Sequence, residues 1–217
     1  MEHTPAQNFL TPTNILIGIT VAISFYAFKN RKVMQDLIMN PYLIHTRKQY
    51  YRFLSSGFLH KDHMHLLFNM LSLYFFGSAM DMVFGVLFGS LGTFYYLALY
   101  LLGIIVSDVP SYFKHKSHPA YNALGASGGV AAVIFAFIIF LPLEKICLYF
   151  ALCIPGFILG TLYIIYSWYQ GRRANDNINH DAHLYGAAFG LVFCIVVYPP
   201  AIGNFFAQIA GWDWKLF

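Results

Sequence analysis

Along the 217-residue chain the apolar positions gather into long runs instead of alternating with polar ones, at residues 12–28, 63–84, 86–107, 126–141, 146–169 and 182–198. Each run is close to the roughly 17–25 residues that an α-helix needs to cross a bilayer. The pattern predicts an all-α polytopic membrane bundle of six transmembrane helices, with residues 1–217 forming one domain. Thr11-Pro12 reads as an N-cap followed by proline at the first helical position, while Pro142 and Pro199-Pro200 close the fourth and sixth spans. Residues 29–62 break the pattern. They mix charges with the aromatic cluster Tyr50-Tyr51-Arg52-Phe53, are too apolar for a free linker, and are expected to pack partly into the membrane interface.

Composition strengthens the membrane reading. Hydrophobic residues make up 59% of the chain and charged residues 10%, against about 25% charged in an average soluble domain. Tyr and Trp often lie close to the ends of the apolar runs, where amphipathic rings suit the interface. The formal charge is +4, and the basic residues cluster between Lys29 and Lys61 without a stripe of stacking aromatics. That arrangement argues against nucleic acid and for phospholipid head groups as the partner. Cys147, Cys153 and Cys194 all fall in apolar runs without close metal-ligand spacing and read as small packed hydrophobes. Met1-Glu2-His3 gives no basic start to a cleavable leader, so the first apolar run is expected to be retained.

Polar groups inside spans are costly, and each is therefore a functional candidate if it faces the bundle interior. Span two carries His65 and Asn69 at i and i+4, on one helical face; span four carries Ser127 and span six His183. If the chain alternates direction, the even-numbered spans all start from one side. Residues in their first seven positions then lie within about 10 Å of that surface. A hydroxyl, an imidazole and an amide at one depth suit acyl transfer: His183 as base, Ser127 as nucleophile, His65 and Asn69 as donors to a developing oxyanion. Gly125 and Gly128 would let backbone approach the serine closely, and Gly186 and Gly190 would give span six a small-residue face toward span four. Singly, each piece also reads as helix packing: Ser127 at a tight crossing, His183 as a structural histidine, His65 and Asn69 as an interhelical clamp. The matched depth on three same-sense spans favours the catalytic combination.

These residues resemble the rhomboid family of intramembrane serine proteases. The stretch from His60 through His65 to Asn69 resembles the family's second-helix H-x-x-x-N, Gly125-Ala126-Ser127-Gly128 resembles its G-x-S-G, and Ala182-His183 through Gly186 to Gly190 resembles its A-H-x-x-G-x-x-x-G. Tyr51-Arg52 stands where the family has a Trp-Arg pair. The resemblance implies a Ser127–His183 dyad, an oxyanion hole of His65, Asn69 and the Ser127 backbone N–H, structural support from Gly125, Gly128, Gly186, Gly190 and Arg52, and no cofactor or metal. It implies transmembrane proteins as substrates and a multi-pass place in the cell (inner) membrane. Two departures stand out: Tyr51 replaces the tryptophan, and Ala131 replaces the aromatic that the family commonly sets against the catalytic histidine.

Two other readings compete. Rhomboid relatives that bind transmembrane clients without cutting them lack the serine or the histidine, and both are present here. A metal site could draw on His60, His63, His65 and His180, but no H-E-x-x-H accompanies them. Orientation is contested between the family and the charges. The resemblance implies an active site opening to the non-cytoplasmic side, whereas eleven of the 13 Lys and Arg residues fall in the connections 29–62, 108–125 and 170–181 on that same side. Taken alone, that excess places the active site in the cytoplasm.

Overall fold

The computed structural model describes residues 10–148, 152–173 and 179–213. Helix α1 (Pro12–Lys29) is capped by Thr11, whose hydroxyl accepts from the Asn14 N–H at 3.1 Å. The connection that follows folds into three short helices, α2 (Arg31–Leu37), α3 (Pro41–Arg47) and α4 (Arg52–Ser55). Asn30 and Asn40 cap the first two with their side chains, and Lys48 ends α3 in the left-handed conformation. The segment packs against α7 (Gly92–His115) through α3 and α4, in keeping with its apolar composition.

Helices α5 (His63–Ser72) and α6 (Ser78–Phe88) are joined without a break by a π-type stretch, Leu73–Gly77. Gly89, at φ 56°, then turns the chain into α7. Next come α8 (Ser127–Phe140), the strands β1 (Lys145–Leu148) and β2 (Leu152–Pro155), α9 (Gly156–Arg173), α10 (His180–Val197) and α11 (Pro200–Ala210). Among the described residues, Pro12–Lys29, the continuous stretch His63–His115 and His180–Val197 are long and apolar enough to cross a membrane, and Ser127–Phe140 is a shorter apolar helix.

Two expectations are corrected here. The described residues are mostly helical, as expected, but Lys145–Leu148 and Leu152–Pro155 pair as two short antiparallel strands that set Cys147 opposite Cys153 and Lys145 opposite Pro155. The helix expected from residue 146 therefore starts at Gly156; Pro155 has no N–H to continue a ladder and suits the residue before a helix. The second correction concerns the cysteines. Cys147 and Cys153 are not packed hydrophobes but are joined in a disulfide across the two strands, while Cys194 is free and buried.

The core lies between α7, α8 and α10, around Leu99, Tyr100, Val133, Ala136 and Cys194. The helices come together through small residues. A Cβ on Gly103 would sit 2.9 Å from the Ala132 methyl, and one on Gly129 2.8 Å from the Tyr100 carbonyl. The crossing of α8 and α10 is closer still. Cβ atoms on Gly186 and Gly190 would run into the carbonyls of Gly128 and Ala132. At the far end Gln208 of α11 donates to the Phe140 carbonyl at 3.1 Å, covering the last turn of α8.

Gly190→Val is accordingly expected to lower stability by about 1–3 kcal/mol or more, because backbone cannot yield as a flexible side chain can. Gly18, where a Cβ would meet nothing within 4 Å, is the control: Gly18→Val is expected to leave the unfolding temperature in detergent nearly unchanged. Equal unfolding temperatures for the two variants would show that the crossing is not tight.

Candidate active site

Ser127 is the first residue of α8, His183 the fourth of α10, His65 the third of α5 and Asn69 its seventh. The paired contacts Gly128–Gly186 and Ala132–Gly190 rise together along both chains, so α8 and α10 run parallel. Ser127 lies one residue before its contact and His183 three before its own. At 1.5 Å rise per residue that offset is about 3 Å along the axes, and both side chains are half-buried at the start of their helices.

The start of α10 is tied down independently. Asn179 caps it, accepting from the Ala182 N–H at 3.1 Å, and its amide donates to the Ser111 hydroxyl of α7 at 3.1 Å. Lys114 and Asp181 pair at 3.1 Å. That pairing turns the Asp181 carboxylate toward α7, in line with its place off the His183 face of the helix.

The loop before Ser127 is held by the long first connection. Met39 and Ala123 pair as an isolated β-bridge, and the Asn40 amide donates to the carbonyls of Pro119 at 3.0 Å and Tyr121 at 3.2 Å. The Gly125 N–H donates to the Ser56 carbonyl at 3.0 Å. Ser56 in turn donates its hydroxyl to the buried Asp108 carboxyl of α7 at 3.3 Å. Gly125 has φ 126°, a conformation that L side chains rarely adopt, and a Cβ there would lie 2.7 Å from Cε1 of His65. Only glycine therefore lets the His65 ring rest against the loop before Ser127.

Asp62 sets α5 by capping it, accepting from the His65 N–H at 2.8 Å. That bond holds the Asp62 carboxyl below the usual carboxylate range. Asn69 is buried, and its amide donates to the His65 carbonyl at 2.9 Å, leaving its second N–H for another acceptor. His60 is fully buried beside His65, with ring centroids 4.9 Å apart, and its Nδ1 bonds the Ser24 hydroxyl at 3.0 Å. Burial pushes the His60 imidazole down to about 3, with His65 acting in the same direction, so the ring stays neutral at physiological pH. His63 faces away, against the rings of Phe25 and Phe28. Among the described residues no three His, Cys, Asp or Glu side chains gather as a metal-binding group.

Arg52 is buried at 3% exposure and, among the described residues, has no carboxylate partner. It donates to the carbonyls of Gln35 at 2.8 Å and Ile38 at 2.7 Å and to the Gln49 amide oxygen at 2.7 Å, which locks α2 against α4. Tyr51 adds a bond from its hydroxyl to the Asp36 carbonyl at 3.0 Å, and stays at the surface of the connection.

One neighbour of His183 has no motif to announce it. Tyr163 of α9 stacks on the His183 ring with centroids 6.2 Å apart and planes inclined by 26°, and it also meets the Phe135 ring of α8 at 5.8 Å. His180 meets His183 edge-on at 6.0 Å. Tyr163 sits in an aromatic-rich run, Tyr163 to Tyr169, that reads in sequence as an ordinary interface belt.

With this geometry in hand, the comparison with known proteins is specific. The Rhomboid domain model matches residues 47–200, from the end of α3 to the start of α11. A relative, RHOMBOID-like protein 12, mitochondrial, from Arabidopsis thaliana, is 28% identical over 203 residues, which cover 84% of this chain and 58% of the relative. The chain thus spans little more than half the length of that protein. The match takes in all four motif regions and most of the chain, and this integral membrane protein belongs to the rhomboid family.

Proposed function

We propose that the protein is an intramembrane serine endopeptidase that hydrolyses peptide bonds in or beside the transmembrane segments of other membrane proteins, through a Ser127–His183 dyad. The observation that supports this reading most directly is the glycine-mediated crossing of α8 and α10, which sets the starts of those two helices side by side. Membership of the rhomboid family supports it from a second direction.

In this mechanism the His183 imidazole takes the Ser127 proton as the serine oxygen attacks the substrate carbonyl carbon. The first N–H groups of α8 have no partner within the helix, since the ladder begins with the Val130 N–H bonding the Ala126 carbonyl at 2.9 Å. The Ser127 N–H, the His65 ring and the second N–H of Asn69 take the developing oxyanion. His183 returns its proton to the leaving amine, and water then hydrolyses the acyl-enzyme by the same route in reverse. Asp181 is engaged with Lys114, so the dyad works without it. Substrates whose helices unwind easily, through glycine or other helix-weakening residues, are preferred because a helical backbone hides its carbonyls.

Ser127→Ala and His183→Ala are each expected to abolish cleavage of a transmembrane reporter by the purified protein while leaving its unfolding temperature unchanged. A fluorophosphonate probe is expected to label wild type at Ser127 and to miss the His183 variant. Turnover retained by either variant would exclude the dyad, whereas a folded wild type that neither cleaves nor labels would leave the client-binding alternative.

Asn69→Ala tests the oxyanion donors separately. Turnover is expected to fall by about 10- to 1000-fold, with fluorophosphonate acylation slowed but present, because other donors remain. An unfolded Asn69 variant with normal activity per folded molecule would make the residue a packing clamp.

The mouth of the site, in this reading, opens on the non-cytoplasmic side. In a background lacking native cysteines, a membrane-impermeant thiol reagent on intact cells is expected to label a cysteine placed at Lys116 and to spare one at Lys145. The charge count and the Cys147–Cys153 bond both lean the other way, since disulfides persist on the oxidising side. Labelling at 145 alone would reverse the orientation.

A further inference from the structure

A histidine that serves as base must hold its ring in one orientation, and its backbone fixes only where the side chain begins. The ties at the start of α10, from Asn179 to Ser111 and from Asp181 to Lys114, set that backbone. They do not set the χ angles of His183. Ala131, four residues after Ser127 on the same face of α8, offers only a methyl and is itself buried at 3% exposure.

A flat partner comes instead from another helix. The Tyr163 ring lies nearly parallel to that of His183, inclined by 26° with centroids 6.2 Å apart. Phe135, one turn beyond Ala131, backs Tyr163 from α8 at 5.8 Å. Gly160, one turn before Tyr163, makes the approach possible: a Cβ there would lie 2.9 Å from Ile138 Cδ1 and 3.4 Å from Phe135 Cε1. Phe135, Tyr163 and His183 thus form a column of rings drawn from three helices. The edge of His180, 6.0 Å from His183 and inclined by 80°, bounds the ring on another side.

We propose that Tyr163 is the positioning residue for His183: by stacking from α9 it supplies the orientation that an aromatic at position 131 would supply from α8. The proposal rests on the dyad reading above. It concerns the flat face of the ring and not the phenol hydroxyl, because the stacked geometry uses only the face. Its effect is on the chemical step. Tyr163 acts here through His183, so its loss is expected to lower kcat with KM little changed.

The test compares Tyr163→Phe, Tyr163→Leu and Tyr163→Ala in the full-length protein in detergent, using a single-span reporter with a Gly-Ala-rich segment. Unfolding temperatures are measured alongside. Tyr163→Phe is expected to keep kcat within about 3-fold of wild type, while Leu and Ala lower it by about 10- to 100-fold at nearly constant KM, the scale of a small misplacement of a catalytic group. Fluorophosphonate labelling of Ser127 is expected to slow in the same order. Leu matching Phe in kcat would overturn the proposal, since Leu fills space without a flat face, and so would an undiminished kcat in Ala. If Ala fails to fold, the Phe–Leu comparison still decides. A wild type that neither cleaves nor labels overturns the dyad, and this proposal with it; an active wild type indifferent to Tyr163 overturns the proposal alone.

Discussion

Where α8 crosses α10, no side chain separates the two backbones: Gly186 meets the Gly128 carbonyl and Gly190 meets that of Ala132. In a membrane, lipid tails solvate apolar side chains as well as protein does, so helices gain from association chiefly by close packing and by polar contacts between them. Small residues make that approach possible. Because the contacts repeat after four residues on both helices, they set a register as well as a distance, and that register brings the first turns of α8 and α10 to one level. Ser127 and His183 owe their neighbourhood to this crossing. A methyl group at either glycine would push the two helix starts apart before it touched any group with chemistry.

A second set of constraints fixes the loop that leads into Ser127, and it comes from the connection between α1 and α5. Buried hydrogen-bonding groups need partners within the protein, and Asn40, Arg52 and Ser56 are buried. The carbonyls of Gln35 and Ile38 take theirs from Arg52, those of Pro119 and Tyr121 from Asn40, and that of Ser56 from the Gly125 N–H. Each bond joins segments far apart in sequence. The result is a polar lattice spread over the open end of the bundle, with His65 lodged against Gly125 and the Asp108 carboxyl bonded to Ser56. The burial of Arg52 follows from this role, since a guanidinium can serve several carbonyls at once.

The aromatic column of Phe135, Tyr163 and His183 and the Cys147–Cys153 strand pair share a lesson about compensation. Position 131 carries no aromatic, and the ring that stacks on His183 comes from Tyr163 of α9. The strands occupy residues that are apolar enough for a membrane helix, yet the cross-strand pairing and Pro155 hold them as strands and delay α9 to Gly156. In both places a local rule is overridden by a partner supplied from elsewhere in the fold.

Much of this protein was legible in its sequence for a simple reason: a bilayer demands long apolar runs and penalises every polar group within them, so helices and the exceptions to them stand out. Thr11 and Pro199 mark helix boundaries by local chemistry, and Ser127, His183, His65 and Asn69 stand out as candidates because polar residues are conspicuous in apolar surroundings. The small-residue spacing of Gly186 and Gly190 belongs to the same class. What only the tertiary structure decided depends on partners distant along the chain. Lys145–Leu148 and Leu152–Pro155 belong to a run with the composition of a span, and pairing made them strands. Tyr163 is one aromatic among several on α9, and only the packing of α9 against α8 and α10 singled it out. Cys147 and Cys153 differ from Cys194 in nothing that composition records; strand pairing brought two of them together. Periodicity and polarity are written residue by residue, whereas stacking, pairing and register are properties of surfaces that meet only after the chain has folded.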